Sequence, residues 1–239
     1  LKARPYLRSV RLEGTFQSRT YPFNIPAIAK LGTIDFHESV TFFVGENGSG
    51  KSTLLEAIAL AMGFGAEGGN KNILFETAAT VSALHNNLKL VKSYLAPKDH
   101  FFLRAESLYN VATFIDDIGV DMRSYGGMSL HECSHGEAFL RLLVHKFRGK
   151  GLYLLDEPEA ALSPSRQLAA LVRMHDLVLA ESQFIIATHS PILMAYPDAK
   201  IYLFDEAGPR PIAYEETEHH QVTRDFLNNF PKRLETLLS

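Results

Sequence analysis

The chain has a single cysteine, Cys133, so no intrachain disulfide can form. The sequence as given opens with no charged-then-apolar signal segment, and together with the lone cysteine this sets the expectation of a cytoplasmic protein. Apolar runs are broken by charge or glycine well short of membrane-spanning length, so no transmembrane segment is expected. An excess of either sign of charge is missing too. The formal net charge is -3, which makes no electrostatic case for wrapping nucleic acid. Local basic clusters exist at Arg4, Arg8 and Arg11 and at Lys146, Arg148 and Lys150; such clusters are ordinarily solvated faces, with DNA contact the alternative. Internal repeats, low-complexity tracts and sustained heptads are also missing. Apolar and charged contents of 46% and 21% are those of a globular chain, and 239 residues suffice for one large domain or a domain with an insertion.

Against these absences stands Val40–Leu60, VTFFVGENGSGKSTLLEAIAL. A β-branched and aromatic run leads into a glycine-rich loop and then an apolar helical pattern, which reads as strand, phosphate loop and helix. Gly45-Glu46-Asn47-Gly48-Ser49-Gly50-Lys51-Ser52, followed by Thr53, satisfies G-x-x-x-x-G-K-[ST] at each fixed position. Glycines let backbone amides turn around phosphate oxygens, and the following helix adds the positive end of its dipole. Lys51 is then placed to reach the β- and γ-phosphates of ATP, and Ser52 to bind Mg2+.

Around this loop the pattern predicts strands at Tyr6–Glu13, Thr33–Phe36 and Phe101–Ala105 and a helix over Thr77–Leu95 ended by Pro97. Gly63 suits a left-handed helix cap. A mostly helical stretch from Leu108 to about Ile118 completes what reads as a helical subdomain inserted at about 64–135. Tyr21 and Phe23 are either core residues or, since their distance from the phosphate loop resembles that in ATP-binding cassettes, aromatics for stacking on adenine. Ala138–Phe147 sets Phe139, Leu142, Leu143 and Phe147 on one helical face. Leu152–Leu155 is a buried strand that delivers Asp156 and Glu157 at its end. Ser163 and Pro164 open a helix to about Ala180, and Phe184–Thr188 is another apolar strand, ending at His189. Late strands at Lys200–Asp205 and Pro211–Glu215 precede a helix over His219–Leu238 interrupted at Pro231. The expected fold is α/β, with a mostly parallel central sheet, an N-terminal antiparallel β layer and the inserted helices.

Two adjacent acids after an apolar strand suit metal binding and water activation once a phosphate loop lies upstream. With GENGSGKST, Ser134-His135-Gly136-Glu137, LYLLDEPEAAL and ATHSP in that order, the sequence resembles the ABC-type ATPases, in particular the soluble branch with SMC heads and RecF-like proteins, also described as stand-alone AAA-family ATPases. Ser134 and Asp156 lie 22 positions apart and Asp156 and His189 lie 33 apart, spacings similar to the family's. The resemblance implies that Asp156 supports Mg2+, Glu157 is the catalytic base, and His189 senses the γ-phosphate. It also implies that Ser134 and Gly136 cap ATP bound by a second copy in a head-to-tail homodimer, and that Glu159–Ser163 is the loop through which the two sites touch.

His135 and Glu137 depart from the family's signature. No glutamine occupies the lid position, for which Glu106 is the candidate metal- or water-contacting residue, a plain exposed acid being the alternative. The resemblance implies Mg-dependent ATP hydrolysis driving or gating a partner process. Alternatives are a nucleotide-gated DNA- or protein-binding module with slow turnover, and a transporter subunit. A rival motif shares the signature region: His131-Glu132-Cys133-Ser134-His135 matches H-E-x-x-H, a zinc-peptidase pattern that requires positions 131 to 135 to form continuous helix.

Overall fold

A computed structural model describes residues 4–14, 19–64, 83–105, 108, 113, 131 and 133–239 of the chain. The strands β3 (Val40–Val44), β6 (Gly151–Asp156) and β7 (Gln183–Ala187) are buried at every position, as strands covered on both faces must be. They lie side by side and parallel, with Phe42 opposite Ile186 and Leu155 also opposite Ile186. With β5 (Asp99–Arg104), β8 (Lys200–Leu203) and β9 (Arg210–Ile212) they form a six-stranded sheet of order β5-β6-β7-β3-β8-β9, parallel except for β9.

Side-chain alternation divides the core. Phe42, Tyr153 and Phe184 face a layer made by α3 (His135–Arg141), its π-helical continuation Leu142–Lys146, and α4 (Pro164–Leu179). Phe139, Leu142, Leu143 and Phe147 are all buried there, as their spacing predicts. Phe147 stacks on Tyr153 with ring centroids 4.2 Å apart. Phe43, Leu154 and Ile185 face the opposite layer, made by the short α1 (Pro26–Ala29), by α2 (Lys51–Met62) and by a second sheet. Helix α2 buries residues around most of its circumference, and Gly63 closes it at φ 86°, the left-handed cap expected.

The second sheet is antiparallel, β2-β1-β4, from β1 (Leu7–Leu12), β2 (Ile34–Asp35) and β4 (Leu88–Lys92). Strand β4 corrects the helix predicted over Thr77–Leu95. Residues 83–87 form a 3-10 turn, and Leu88 and Leu90 alternate toward the core while the strand pairs with β1. Pairing with the edge of β1 outweighs a leucine spacing that also fits a helix. Of the segment at about 64–135 expected as inserted helices, 88–92 and 99–104 instead supply β4 and β5 to the two sheets; between 105 and 133 Leu108, Thr113 and His131 are described, with helical backbone at each, and the other residues there lie outside the described residues.

Gln183 joins the two sheets. Its amide oxygen accepts from Leu7 N at 3.0 Å, and its amide nitrogen donates to the Leu7 and His37 carbonyls at 2.9 and 3.0 Å. Ser163 occupies the cap position of α4 with Pro164 in the first turn, but its hydroxyl makes no cap bond. After α5 (Pro191–Met194) and β9, α6 (Glu218–Leu238) runs through Pro231 with its non-helical residue at Asn229, two positions before the expected break. Among the described residues no helix is long and apolar enough to cross a membrane.

Candidate functional site

The carboxyl ends of β3, β6 and β7 converge, which is where open parallel sheets bind ligands. Beyond β3 the chain turns through Gly45, Gly48 and Gly50 with φ of 139°, 77° and 99°. At Gly45 a side chain is excluded twice, because a Cβ would also lie 2.3 Å from the Phe204 carbonyl oxygen. Glu46, Asn47 and Gly48 are exposed at the crest, and Ser49 is half-buried. Lys51 is buried, and its ammonium donates to the Gly45 and Glu46 carbonyls at 2.9 and 2.7 Å. Burial pushes its pKa down, opposed by the negative charges of Glu157, Asp156 and Glu159.

Ser52 Oγ donates to Asp156 Oδ1 at 2.8 Å, joining the start of α2 to the end of β6. Arg104, at the end of β5, pairs with Glu56 at 2.8 Å and sets Nε 3.6 Å from Asp156 Oδ2. Glu157 takes a left-handed backbone, φ 49° and ψ 49°, while its amide donates to the Ala187 carbonyl at 2.9 Å. Such a conformation in a residue with a side chain costs about 1 kcal/mol or more and persists where surroundings impose it. Its carboxylate reaches 3.7 Å from His189 Nε2.

Behind these groups Glu159 accepts from Thr188 Oγ1 at 2.7 Å and from the His189 amide. Burial pushes the Glu159 carboxyl up, and those two bonds oppose it. His189 Nδ1 lies 2.9 Å from His219 Nε2 on α6. Burial, then Lys51, then His219 hold the His189 ring to a pKa of about 4.

Among the described residues the buried side-chain polar atoms without a hydrogen-bond partner are Ser49 Oγ, Ser93 Oγ, Arg104 Nε and His189 Nε2. Three of these four surround the phosphate-loop site, the pattern of a site built for a polar ligand. A cavity of about 500 Å³ opens on one side of the loop, between Gly45–Ser49, Asp205, Glu206 and the start of α6. On the other side Ser52, Arg104, His135, Asp156 and Glu157 line a second cavity. The residues present therefore fit a nucleotide with a divalent cation.

Profiles of two families of AAA domains match the chain, one over residues 23–95 and one, whose description also mentions AbiEii toxin and a type IV TA system, over residues 103–195. Over 176 residues the chain is 30% identical to a protein described as a probable branched-chain amino acid transport ATP-binding protein, LivF, from Archaeoglobus fulgidus, covering 66% of this chain and 70% of that protein. The chain belongs to the ABC-type P-loop ATPases.

The solved structures similar to this ABC-type chain agree in fold. One is cbiO1 from Clostridium perfringens, part of the ABC transporter complex cbiONQ, with 17% identity, TM-score 0.52, and coverage of 99% of this chain and 100% of that one. Another is an SMC head bound to the C-winged helix domain of ScpA, with 16% identity, TM-score 0.51, and coverage of 87% and 98%.

In this ABC-type chain Lys51, Ser52, Asp156, Glu157 and His189 come together as the motifs place them, with Thr53 in the first turn of α2. Ser134 caps α3 by accepting from the Glu137 amide, and Arg166 donates to its hydroxyl at 3.0 Å. Gly136 is buried beneath the loop after β6, where a Cβ would lie 2.3 Å from the Ala161 carbonyl oxygen. Glu106 and Glu132 lie outside the described residues.

Helix α3 begins only at His135, after Ser134 in extended conformation, so His131 and His135 do not share the helical turn that the zinc pattern requires. His131 Nε2 lies 3.0 Å from Thr113 Oγ1. Phe23 is packed in the core and is thereby removed as a stacking aromatic, whereas Tyr21 is exposed with its hydroxyl 3.5 Å from Thr53 Oγ1. The basic clusters are partly structural: Arg4 donates to the Val178 and Ser182 carbonyls, Arg11 pairs with Glu13, and Lys150 with Glu181.

Sequence reasoning did not single out Arg104 or His219. Arg104 sits opposite Asp156 in the β5–β6 register, and only that pairing brings it to the site. His219 lies 30 positions beyond His189 on a helix that reads as an ordinary amphipathic one.

Proposed function

We propose that the protein binds ATP with Mg2+ on the loop 45–53 and hydrolyses it to ADP and phosphate. The observation that carries this reading is the convergence of Lys51, the Ser52–Asp156 pair, Glu157 and His189 at the ends of three adjacent parallel strands. Lys51 exchanges two carbonyl contacts for phosphate oxygens, and the glycine-rich backbone supplies amides around them. Ser52 and Asp156 hold Mg2+, which neutralises phosphoryl charge when bound. Glu157 accepts the proton of the attacking water, and His189 Nε2, a buried nitrogen without a partner, donates toward the terminal phosphate.

The assembly proposed is a head-to-tail homodimer in which Ser134 and Gly136 of one copy cover ATP held by Lys51 of the other. Exposure of Ser134 and His135 at the first turn of α3 supports it. The cycle then drives or gates a partner, protein or DNA, in the cytoplasm.

The test is calorimetric titration of ATP together with phosphate release. Lys51→Ala is expected to weaken ATP binding by tenfold or more, about 1.4 kcal/mol. Glu157→Gln is expected to bind ATP as the wild type does and to hydrolyse it about 100-fold more slowly or worse. Unchanged ATP affinity in Lys51→Ala would overturn the phosphate-loop assignment, and undiminished turnover in Glu157→Gln would remove that residue as base.

A further inference from the structure

His189 and His219 meet nitrogen to nitrogen, Nδ1 to Nε2 at 2.9 Å, with ring centroids 5.0 Å apart and planes at 61°. A bond at that distance between two imidazoles needs one proton between them, so exactly one of the two nitrogens donates. Burial and the Lys51 charge hold the pKa of both rings below the ordinary value, so at neutral pH each ring carries one proton. Two arrangements remain. If His189 Nδ1 carries the hydrogen, His189 Nε2 presents a lone pair to the Glu157 carboxylate 3.7 Å away, and like faces like. If His219 Nε2 carries it, His189 keeps its own proton on Nε2, a buried nitrogen without a hydrogen-bond partner, and turns it toward the Glu157 carboxylate.

We infer that His219 is a positioning residue that donates from Nε2 to His189 Nδ1 and so fixes His189 as an Nε2–H donor toward Glu157 and the terminal phosphate. The catalytic consequence rests on the ATPase reading of the site; the hydrogen bond itself does not. The imidazole orientation is thus set from a helix outside the strands that carry the motifs. His219 lies in the first turn of α6, whose cap residue Thr217 is buried and accepts from the His220 amide. Thr217 and His219 also line the cavity beside Gly45–Ser49, so the start of α6 forms a wall of the nucleotide site.

The ring nitrogens of 15N-histidine-labelled wild-type protein at neutral pH test the bond without nucleotide, the His189 signals being assigned by their loss in His189→Asn. The expected result is a protonated Nε2 and an unprotonated Nδ1 on His189. His219→Phe, which has no donor, is expected to mix the two tautomers and lower kcat about tenfold or more. His219→Gln, which retains an N–H donor, is expected to restore the Nε2–H form and most of kcat. A protonated Nδ1 on wild-type His189, or an unchanged Nε2–H population in His219→Phe, would overturn the inference. Wild-type protein that hydrolyses no ATP would count against the ATPase reading alone, and the nitrogen signals would still decide the role of His219.

Discussion

At His189, burial and the nearby Lys51 ammonium keep the ring neutral down to a pKa of about 4, against an ordinary value of 6.5. The unfolded chain takes up that proton near its ordinary pKa while the folded chain resists it, so protons favour unfolding across that interval. The contribution of the neutral ring is therefore complete above about pH 6.5 and is lost as pH falls toward 4. Thermal midpoints measured across this range should fall more steeply with acid in the wild type than in His189→Asn. Equal slopes would mean that the ring is not held neutral by its surroundings. At this scale the phosphate loop and the pair of acids after an apolar strand were legible because each encodes its chemistry locally, whereas His189 entered through the family resemblance. Arg104 and His219 were not legible because their neighbours are set by strand register and by the docking of a helix.

Among the elements, β3, β6 and β7 announced themselves as continuous apolar runs, whereas β4 did not. Leu88-Lys89-Leu90-Val91-Lys92 is too short for period alone to separate strand from helix, and its identity comes from β1. The join between the two sheets was equally hidden, since Gln183 is a polar residue at the start of an apolar strand. It is fully buried and satisfies both polar groups of Leu7 as well as the His37 carbonyl. Gln183→Met keeps much of the volume and leaves those groups unpaired, which should cost about 3 kcal/mol of stability. Urea denaturation measures this directly. A loss below about 1 kcal/mol would show that water or rearrangement replaces the bonds.

For the whole molecule, the proposed assembly is two copies sharing nucleotide. Gly136 is already packed under the Ala161 carbonyl of its own chain, which ties the signature segment to the loop that follows Glu157. Ser134 stands exposed beside it, in contact with Arg166 from α4. A second copy carrying ATP at Lys51 would meet this face, and ATP would then be the adhesive that hydrolysis removes. Glu157→Gln leaves Asp156 and Ser52 in place while withdrawing the proton acceptor, so bound ATP should persist. The deciding measurement is the mass of Glu157→Gln by light scattering after size exclusion, with and without Mg-ATP. The expected result is a dimer with Mg-ATP, a monomer without it, and a monomer in both conditions once Ser134→Arg is added. A Glu157→Gln protein that binds ATP and keeps the same mass with and without it would contradict the shared-nucleotide dimer.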